Sequence, residues 1–275
     1  MAALKHPDVT LIEAMAELAL AAGLSIMKHF GEARATIKAD GSPVTLADQE
    51  AEDVILPGLA RLFPGVPVIA EESAAAGHVP VTGDDFLLVD PLDGTKEFLA
   101  GRDEFTVNIG LVSKGVPMAG VIYAPALKRL WLAGAQAHTC TAMPGASIAE
   151  AGSRRRIKVR VPSKNNLVAC ASRSHLTSAT EAFLAELPVI ERRSAGSSLK
   201  FCLLAEGLAD VYAHFGPTME WDTCAGHAIL LAAGGNVRAA DGGPFIYGKR
   251  EQDYRNPGFV AAGDLAAVEA MRRSG

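Results

Sequence analysis

Apolar residues return at helical spacing from Val9 to Phe30, at Leu11, Ile12, Met15, Leu18, Ala19, Ala22 and Ile26, and Gly31 ends the run. This predicts a first amphipathic helix. A second is predicted from Leu46 to Phe63, opened by Thr45 or Ser42 as a cap and carrying Asp48 in its first turn. VPVIA (66–70) and FLLVD (86–90) read as short buried strands, each ending in carboxylates. TVNIGLV (106–112), the turn SKGVP, MAGVIYAP and RLWLAG predict a hairpin and a further strand, so the region up to Gly134 reads as helices on an antiparallel sheet.

Residues 141–156 are small and polar, and they mark a boundary between a half at 1–140 and a half at 141–275. Beyond them LVACAS, a helix at 178–187, PVIER, a helix at 197–207 and LADVY alternate in an α/β manner. A last strong helix begins at Asp222 and runs to Gly234-Gly235. The fold class expected is α/β (α+β).

Composition narrows what such a chain does. At 275 residues and 49% apolar it can bury a large core. A net charge of -5 argues against a nucleic-acid partner or an anionic membrane surface. Cys140, Cys170, Cys202 and Cys224 lie far apart without CxxC spacing, which excludes a zinc ribbon and predicts reduced core thiols. No targeting segment and no apolar run of spanning length is read, so the expected location is cytoplasmic, with loose attachment to the inner membrane left open.

The chemistry is concentrated in DPLDGTKEF (90–98). Pro91 fixes its own φ and biases Asp90 toward extended geometry, so both carboxylates and the Leu92 carbonyl are free to point one way. Three hard oxygens in a small turn suit Mg²⁺. The N–H groups of Gly94, Thr95 and Lys96, opening a helix, suit a phosphate. Several carboxylates facing a phosphate need two or three ions, and phosphate-ester hydrolysis is the reaction such a site serves. Glu71 and Glu72, adjacent in an extended segment, are expected to point to opposite faces, with Glu71 toward the metals.

Asp48, Glu71-Glu72, DPLDGT, and Trp221-Asp222 followed by Gly234-Gly235 resemble, in that order, the lithium-sensitive, magnesium-dependent phosphomonoesterases, the superfamily of inositol monophosphatase. The resemblance spans nearly the whole chain. It implies a layered αβαβα sandwich with the metals between the two halves. It also implies Glu71, Asp90, the Leu92 carbonyl, Asp93 and Asp222 as metal ligands. Thr95 would orient the attacking water with Glu71 as base, and Asp48, backed by Thr45, would serve a third metal. Li⁺ and Ca²⁺ would inhibit.

Ser197-x-x-Lys200 matches the serine-lysine motif of β-lactamases, but S-D-N and K-T-G are absent, and the spacing of Asp90 and Asp93 excludes a D-x-D phosphatase. DGTKEF, RDEFTVNI, SRSH (172–175), GSSLKF (196–201) and NPGF (256–259) instead resemble the bacterial 3'(2'),5'-bisphosphate nucleotidase branch. That implies a small phosphorylated nucleotide as substrate, 3'-phosphoadenosine 5'-phosphate, with Gly94, Thr95 and Asp222 at the attacked phosphate. His175, Ser197 and Lys200 would contact the nucleotide or its second phosphate. His214 stands where the branch often has arginine before FGPT, which leaves an inositol-phosphate or sugar-phosphate monophosphatase as the alternative. A non-catalytic nucleotide- or metal-binding protein on the same fold is a third reading, and a homodimer is left open.

Overall fold

The computed structural model describes residues 7–32, 34–38, 41, 43–171 and 177–273. Asp8 caps the first helix, α1 (Val9–His29), by accepting the Leu11 N–H at 3.0 Å. A two-stranded ribbon, β1 (Thr36–Ile37) and β2 (Pro43–Val44), leads to α2 (Leu46–Leu62), whose cap is Thr45. Then come β3 (Val68–Ala70), the short α3 (Glu71–Ala75), β4 (Asp85–Asp93), the short α4 (Thr95–Leu99), and the strands β5 (Thr106–Ser113), β6 (Val116–Ala124), β7 (Arg129–Ala133), β8 (Ala137–Thr141) and β9 (Arg155–Arg156).

β3 to β9 form one seven-stranded sheet in chain order. It is antiparallel except at its first pair, where β3 runs parallel to β4, against the expectation of a wholly antiparallel sheet. The parallel pair arises because α3 carries the chain back across, so both strands end at the same edge of the sheet. That edge receives Glu71 and Asp90 together.

The second half contains β10 (Leu167–Ala171), α5 (Ser178–Ala185), β11 (Val189–Ser194), α6 (Leu199–Ala205), β12 (Val211–His214), α7 (Glu220–Ala232), β13 (Asn236–Ala239), β14 (Phe259–Ala262) and α8 (Leu265–Arg272). Its five strands lie in the order β11-β10-β12-β14-β13. β13 precedes the loop-rich stretch 240–258, β14 and α8 follow it, and none was foreseen, because short strands flanked by glycine carry little periodicity.

Alternation along the strands separates the layers. Leu87 and Val89 face α1 and α2 with Leu20, Ile55 and Leu59, while Phe86 and Leu88 face α7 with Ile229 and Leu230. In β10, Val168 and Cys170 face the same central layer, and Leu167 and Ala169 face Leu184 of α5 and Val268 of α8. The result is the αβαβα sandwich, with α6 and α7 between the sheets. One buried cluster fills both interfaces around the α6–α7 layer, and one fills each outer interface.

Two glycines set how closely α7 lies on the first sheet. A Cβ at Gly120 would stand 2.4 Å from the Ala225 carbonyl oxygen, and one at Gly110 would stand 2.5 Å from Cys224 Sγ. With no side chain there, the helix rests on backbone. Its first turn is thereby brought to the edge where β4 ends.

At 21 residues, with a window of mean hydropathy 1.7, α1 is long and apolar enough to cross a membrane by length and composition alone. Half of it is buried inside the fold, and Met15, Ala19, Leu20 and Ile26 have no exposed surface against α2 and the sheet. A core helix covered on one face by another helix and on a second by a sheet has the same apolarity as a span.

Candidate metal and phosphate site

β4 ends in a bulge. Asp90 pairs with Asn108 and Asp93 with Thr106, so one extra residue is inserted between them. Pro91 sits in this bulge, where a missing N–H does no harm. The Leu92 N–H donates to Asp90 Oδ1 at 3.0 Å, closing a tight turn. Gly94 then takes φ +92° as the cap of α4, and its missing Cβ avoids the Glu104 carbonyl at 3.2 Å. The DPLDGT stretch therefore folds as the carboxylate-bearing turn that its composition implied.

Two aspartates serve the same cleft from helix starts, Asp222 by lining it and Asp48 from behind Thr95. Asp48 is the third residue of α2, and its Oδ2 accepts the Thr45 N–H at 2.8 Å and the Thr45 hydroxyl at 2.7 Å. Its Oδ1 accepts the Thr95 hydroxyl at 3.1 Å, and that hydroxyl also lies 3.2 Å from the Leu92 carbonyl. Asp222 repeats the device. α7 begins at Glu220 rather than at Asp222, so Asp222 is its third residue and accepts the Met219 N–H at 2.7 Å. A carboxylate at that position serves helix start and site at once.

Glu71 and Glu72 do not diverge. They form the first turn of α3, where the backbone is helical rather than extended, and both accept from Lys38 Nζ, at 2.7 and 2.6 Å. Glu52, one turn after Asp48 on α2, caps α3 by accepting the N–H groups of Glu72 and Ser73 at 2.9 and 2.8 Å.

From the other half, Ser197 Oγ and the Ser198 N–H both donate to Asp93 Oδ2 at 2.8 Å. Ser197 is a non-glycine residue at φ +51°, a conformation that these contacts hold. Lys200 is only 5% exposed; its Nζ donates to the carbonyls of Ala195 and Ser197 and stands 5.3 Å from the Tyr212 ring. His214 is buried among Tyr212 and Phe259 and lines the same cleft. His175 lies outside the described residues, as does Ser42.

Glu71, Asp90, Leu92, Asp93, Gly94, Thr95, Ser197, Lys200 and Asp222 thus line one cleft of about 420 Å³ between the two sheets. Burial raises the carboxyls of Asp90 and Asp222 well above the ordinary range, and the neighbouring carboxylates raise them further. Burial also raises Asp48 and Glu71, and it raises Asp93 although Ser197, Lys200, Asn108 and Ser198 pull the other way. Glu72 is pushed up to about 7, first by burial. Burial opposes the charge of Lys38, yet Glu71 and Glu72 outweigh it and hold its pKa above the usual lysine value.

So dense a group of hard anions fits divalent cations, which would relieve the mutual repulsion. Among the described residues no three of these side chains already stand in ligand geometry about one point. Each is held by a local donor: Asp48 by Thr45, Glu71 by Lys38, Asp93 by the Ser197-Ser198 pair, Asp222 by the Met219 N–H.

Lys38, Glu52, Thr106, Asn108 and Ser198 were not singled out from sequence. A signal existed for two of them: Thr106 and Asn108 are alternate residues, hence on one face, in an otherwise apolar strand. Another lay in the four-residue spacing from Asp48 to Glu52.

The fold and the carboxylate cleft define a class. The profile of the inositol monophosphatase family matches residues 8–273, and the chain belongs to that family. Within it, the chain is 44% identical to the 3'(2'),5'-bisphosphate nucleotidase CysQ of Salmonella typhimurium over 252 residues, 90% of this chain and 98% of the relative. The crystal structure of CysQ from Bacteroides thetaiotaomicron superimposes with a TM-score of 0.76 at 40% identity, covering 93% of this chain and 98% of that one. An inositol-1-monophosphatase of Mesorhizobium japonicum is 31% identical over 96% of this chain and 95% of its own length.

Proposed function

We propose that this chain is a Mg²⁺-dependent phosphomonoesterase that hydrolyses 3'-phosphoadenosine 5'-phosphate to AMP and phosphate. The observation that carries the reading is the convergence of Glu71, Asp90, Asp93 and Asp222 on one cleft in a chain 44% identical to a bisphosphate nucleotidase. The lower identity to an inositol-1-monophosphatase, 31%, favours the nucleotide over inositol phosphate.

In this reading Glu71, Asp90, the Leu92 carbonyl, Asp93 and Asp222 hold two or three Mg²⁺ ions. Residues 1–140 supply most of these ligands, and 141–275 supply Asp222 and the substrate contacts. Bound magnesium would activate water and neutralise the leaving oxygen. Thr95 is placed to orient the water, because its hydroxyl is already directed to Asp48 Oδ1 and the Leu92 carbonyl. Thr45 fixes Asp48 through its hydroxyl and N–H and so keeps that acceptor in place. Glu71 acts as base, and Gly94 and Thr95 present N–H groups to the attacked phosphate.

Ser197 and Lys200, with His175, take the nucleotide side. Lys200 supports this less directly than a free ammonium would, since burial lowers its pKa and it is engaged with backbone carbonyls. Li⁺ and Ca²⁺ inhibit by occupying metal positions without the charge or geometry that Mg²⁺ supplies. The cysteines are free and buried, which suits the reducing cytoplasm as the location.

The test is phosphate release with Mg²⁺ from 3'-phosphoadenosine 5'-phosphate, inositol 1-phosphate and fructose 1,6-bisphosphate at equal concentrations, with and without LiCl against a KCl control. A large preference for the nucleotide, lost in LiCl, is expected. Preference for inositol phosphate would replace the substrate and keep the metal chemistry.

A further inference from the structure

Beneath Asp93 lies a polar group that is almost wholly buried, and of its three members Ser198 alone borders the cleft. Thr106 has no exposed surface, Asn108 is 1% exposed and Ser198 2% exposed, in a region otherwise built of aliphatic and aromatic side chains. Buried polar side chains are retained at a cost unless every donor and acceptor is satisfied. Here each of the three side chains has at least one partner. Asn108 Nδ2 donates to Asp93 Oδ2 at 3.2 Å. Asn108 Oδ1 lies 2.8 Å from Ser198 Oγ and 2.9 Å from Thr106 Oγ1, both hydroxyl donors, so the amide has one orientation that fits. Thr106 Oγ1 also meets Ser197 Oγ at 2.5 Å and Ser198 Oγ at 2.9 Å.

The network joins two polypeptide stretches. Thr106 and Asn108 come from β5 of the first sheet, and Ser197 and Ser198 from the loop that opens α6. All of it ends on one atom. Asp93 Oδ2 accepts from Asn108 Nδ2, Ser197 Oγ and the Ser198 N–H, and three donors on one oxygen fix the plane of the carboxylate and leave Oδ1 for the cleft.

We propose that Asn108, with Thr106 behind it, is a positioning residue that aims Asp93 at the metal site and locks the 195–198 loop to the first sheet in the same act. It touches neither substrate nor metal and works through Asp93 and Ser198. The inference rests on Asp93 being a metal ligand. It predicts that the Asn108 amide governs cation affinity, because an Asp93 free to rotate no longer presents one oxygen in a fixed direction.

The test uses titration calorimetry of Mg²⁺, with Mn²⁺ as a second probe, on the full-length protein and four variants: Asn108→Ala, Thr106→Ser, Thr106→Val and Asp93→Asn. Asn108→Ala is expected to weaken Mg²⁺ binding by about 10–100-fold, the usual effect of losing a residue that orients a metal ligand. Thr106→Val follows it in part. Thr106→Ser, which keeps the hydroxyl, binds as wild type does. A lowered unfolding midpoint with unchanged Mg²⁺ affinity in both Asn108→Ala and Thr106→Val would make the network merely structural and overturn the proposal. Should Asn108→Ala fail to fold, Thr106→Val against Thr106→Ser gives the same decision. Unchanged Mg²⁺ affinity in Asp93→Asn would remove Asp93 from the ligand set, a failure of the metal reading distinct from a failure of the network.

Discussion

Asp93 and Glu71 line one acidic cleft and are held by opposite means. Asp93 is fixed by neutral donors, Asn108 Nδ2, Ser197 Oγ and the Ser198 N–H, on a rigid bulge of the central sheet. Glu71 is fixed by a cation, Lys38, reaching from the two-residue strands of the β1–β2 ribbon, while Glu52 anchors the helix start beneath it. The neutral donors give direction and, with the charge of Lys200, stabilise the anion only in part, since burial still raises the Asp93 carboxyl, so Asp93 retains an appetite for a cation. An ammonium relieves charge and demands little geometry, being a single flexible point charge. The cleft is therefore held geometrically at Asp93, its geometric end, and by charge at Glu71, its electrostatic end.

The largest effect should come from removing a charge at the geometric end. Asp93→Asn keeps the side-chain shape and is expected to lower turnover by at least about 10²–10³-fold with the unfolding midpoint little changed, read by phosphate release and thermal melting. Near-normal turnover would erase the distinction between the two ends.

At the electrostatic end, Lys38→Met leaves two carboxylates facing each other without their counter-ion. Losing one partner of a fully buried pair costs about 3–5 kcal/mol; with Glu71 26% and Glu72 12% exposed, roughly 1–3 kcal/mol is expected for the metal-free protein. Added Mg²⁺ should restore more stability to this variant than to wild type, because it replaces the missing charge. Equal stabilisation of both proteins by Mg²⁺ would mean that Lys38 does not share the cation's place in the balance of charge.

The smallest effect separates the helix layer behind the cleft from the cleft itself. His227 of α7 is buried, its pKa is lowered to about 3 by burial, and its Nδ1 meets the Tyr247 hydroxyl at 3.1 Å. The unfolded chain takes up a proton near the ordinary value of 6.5 and the folded chain does not, so His227 costs no stability above pH 6.5 and an increasing amount as pH falls toward 3. Between pH 6.5 and 5 the loss is about 2 kcal/mol. His227→Gln should flatten that part of the urea-midpoint profile. An unaltered slope would remove His227 from the acid response, to which the cleft carboxyls contribute in the opposite sense because burial raises them.

The elements of the first half were legible because α1, α2 and the strands β4 to β7 carry strong periodicity, whereas the layers came only with the family resemblance, and the order of carboxylate motifs put the chemistry on strand and helix ends. What the linear pattern hid was the geometry of short elements. Glu71 and Glu72 read as extended because α3 is five residues long, too short to show a helical period, so their convergence on Lys38 was lost. Asp222 was taken as the start of α7; the two residues before it, Glu220 and Trp221, belong to the helix and make it the counterpart of Asp48. Lys38 left no trace, since a lysine in a loop looks the same whether it is solvated or ion-paired. The Thr106-Asn108 pair was visible as two polar residues on one face of a buried strand, and only its partners, some ninety residues away, gave it meaning.

The most direct measurement is phosphate release from 3'-phosphoadenosine 5'-phosphate by enzyme stripped with a chelator, followed as Mg²⁺ is added back. The account predicts no release without the metal and full recovery as Mg²⁺ saturates the cleft from Glu71 to Asp222. Release that continues in excess chelator would contradict it, because the buried carboxylates would then be acting without the cations they are arranged to hold.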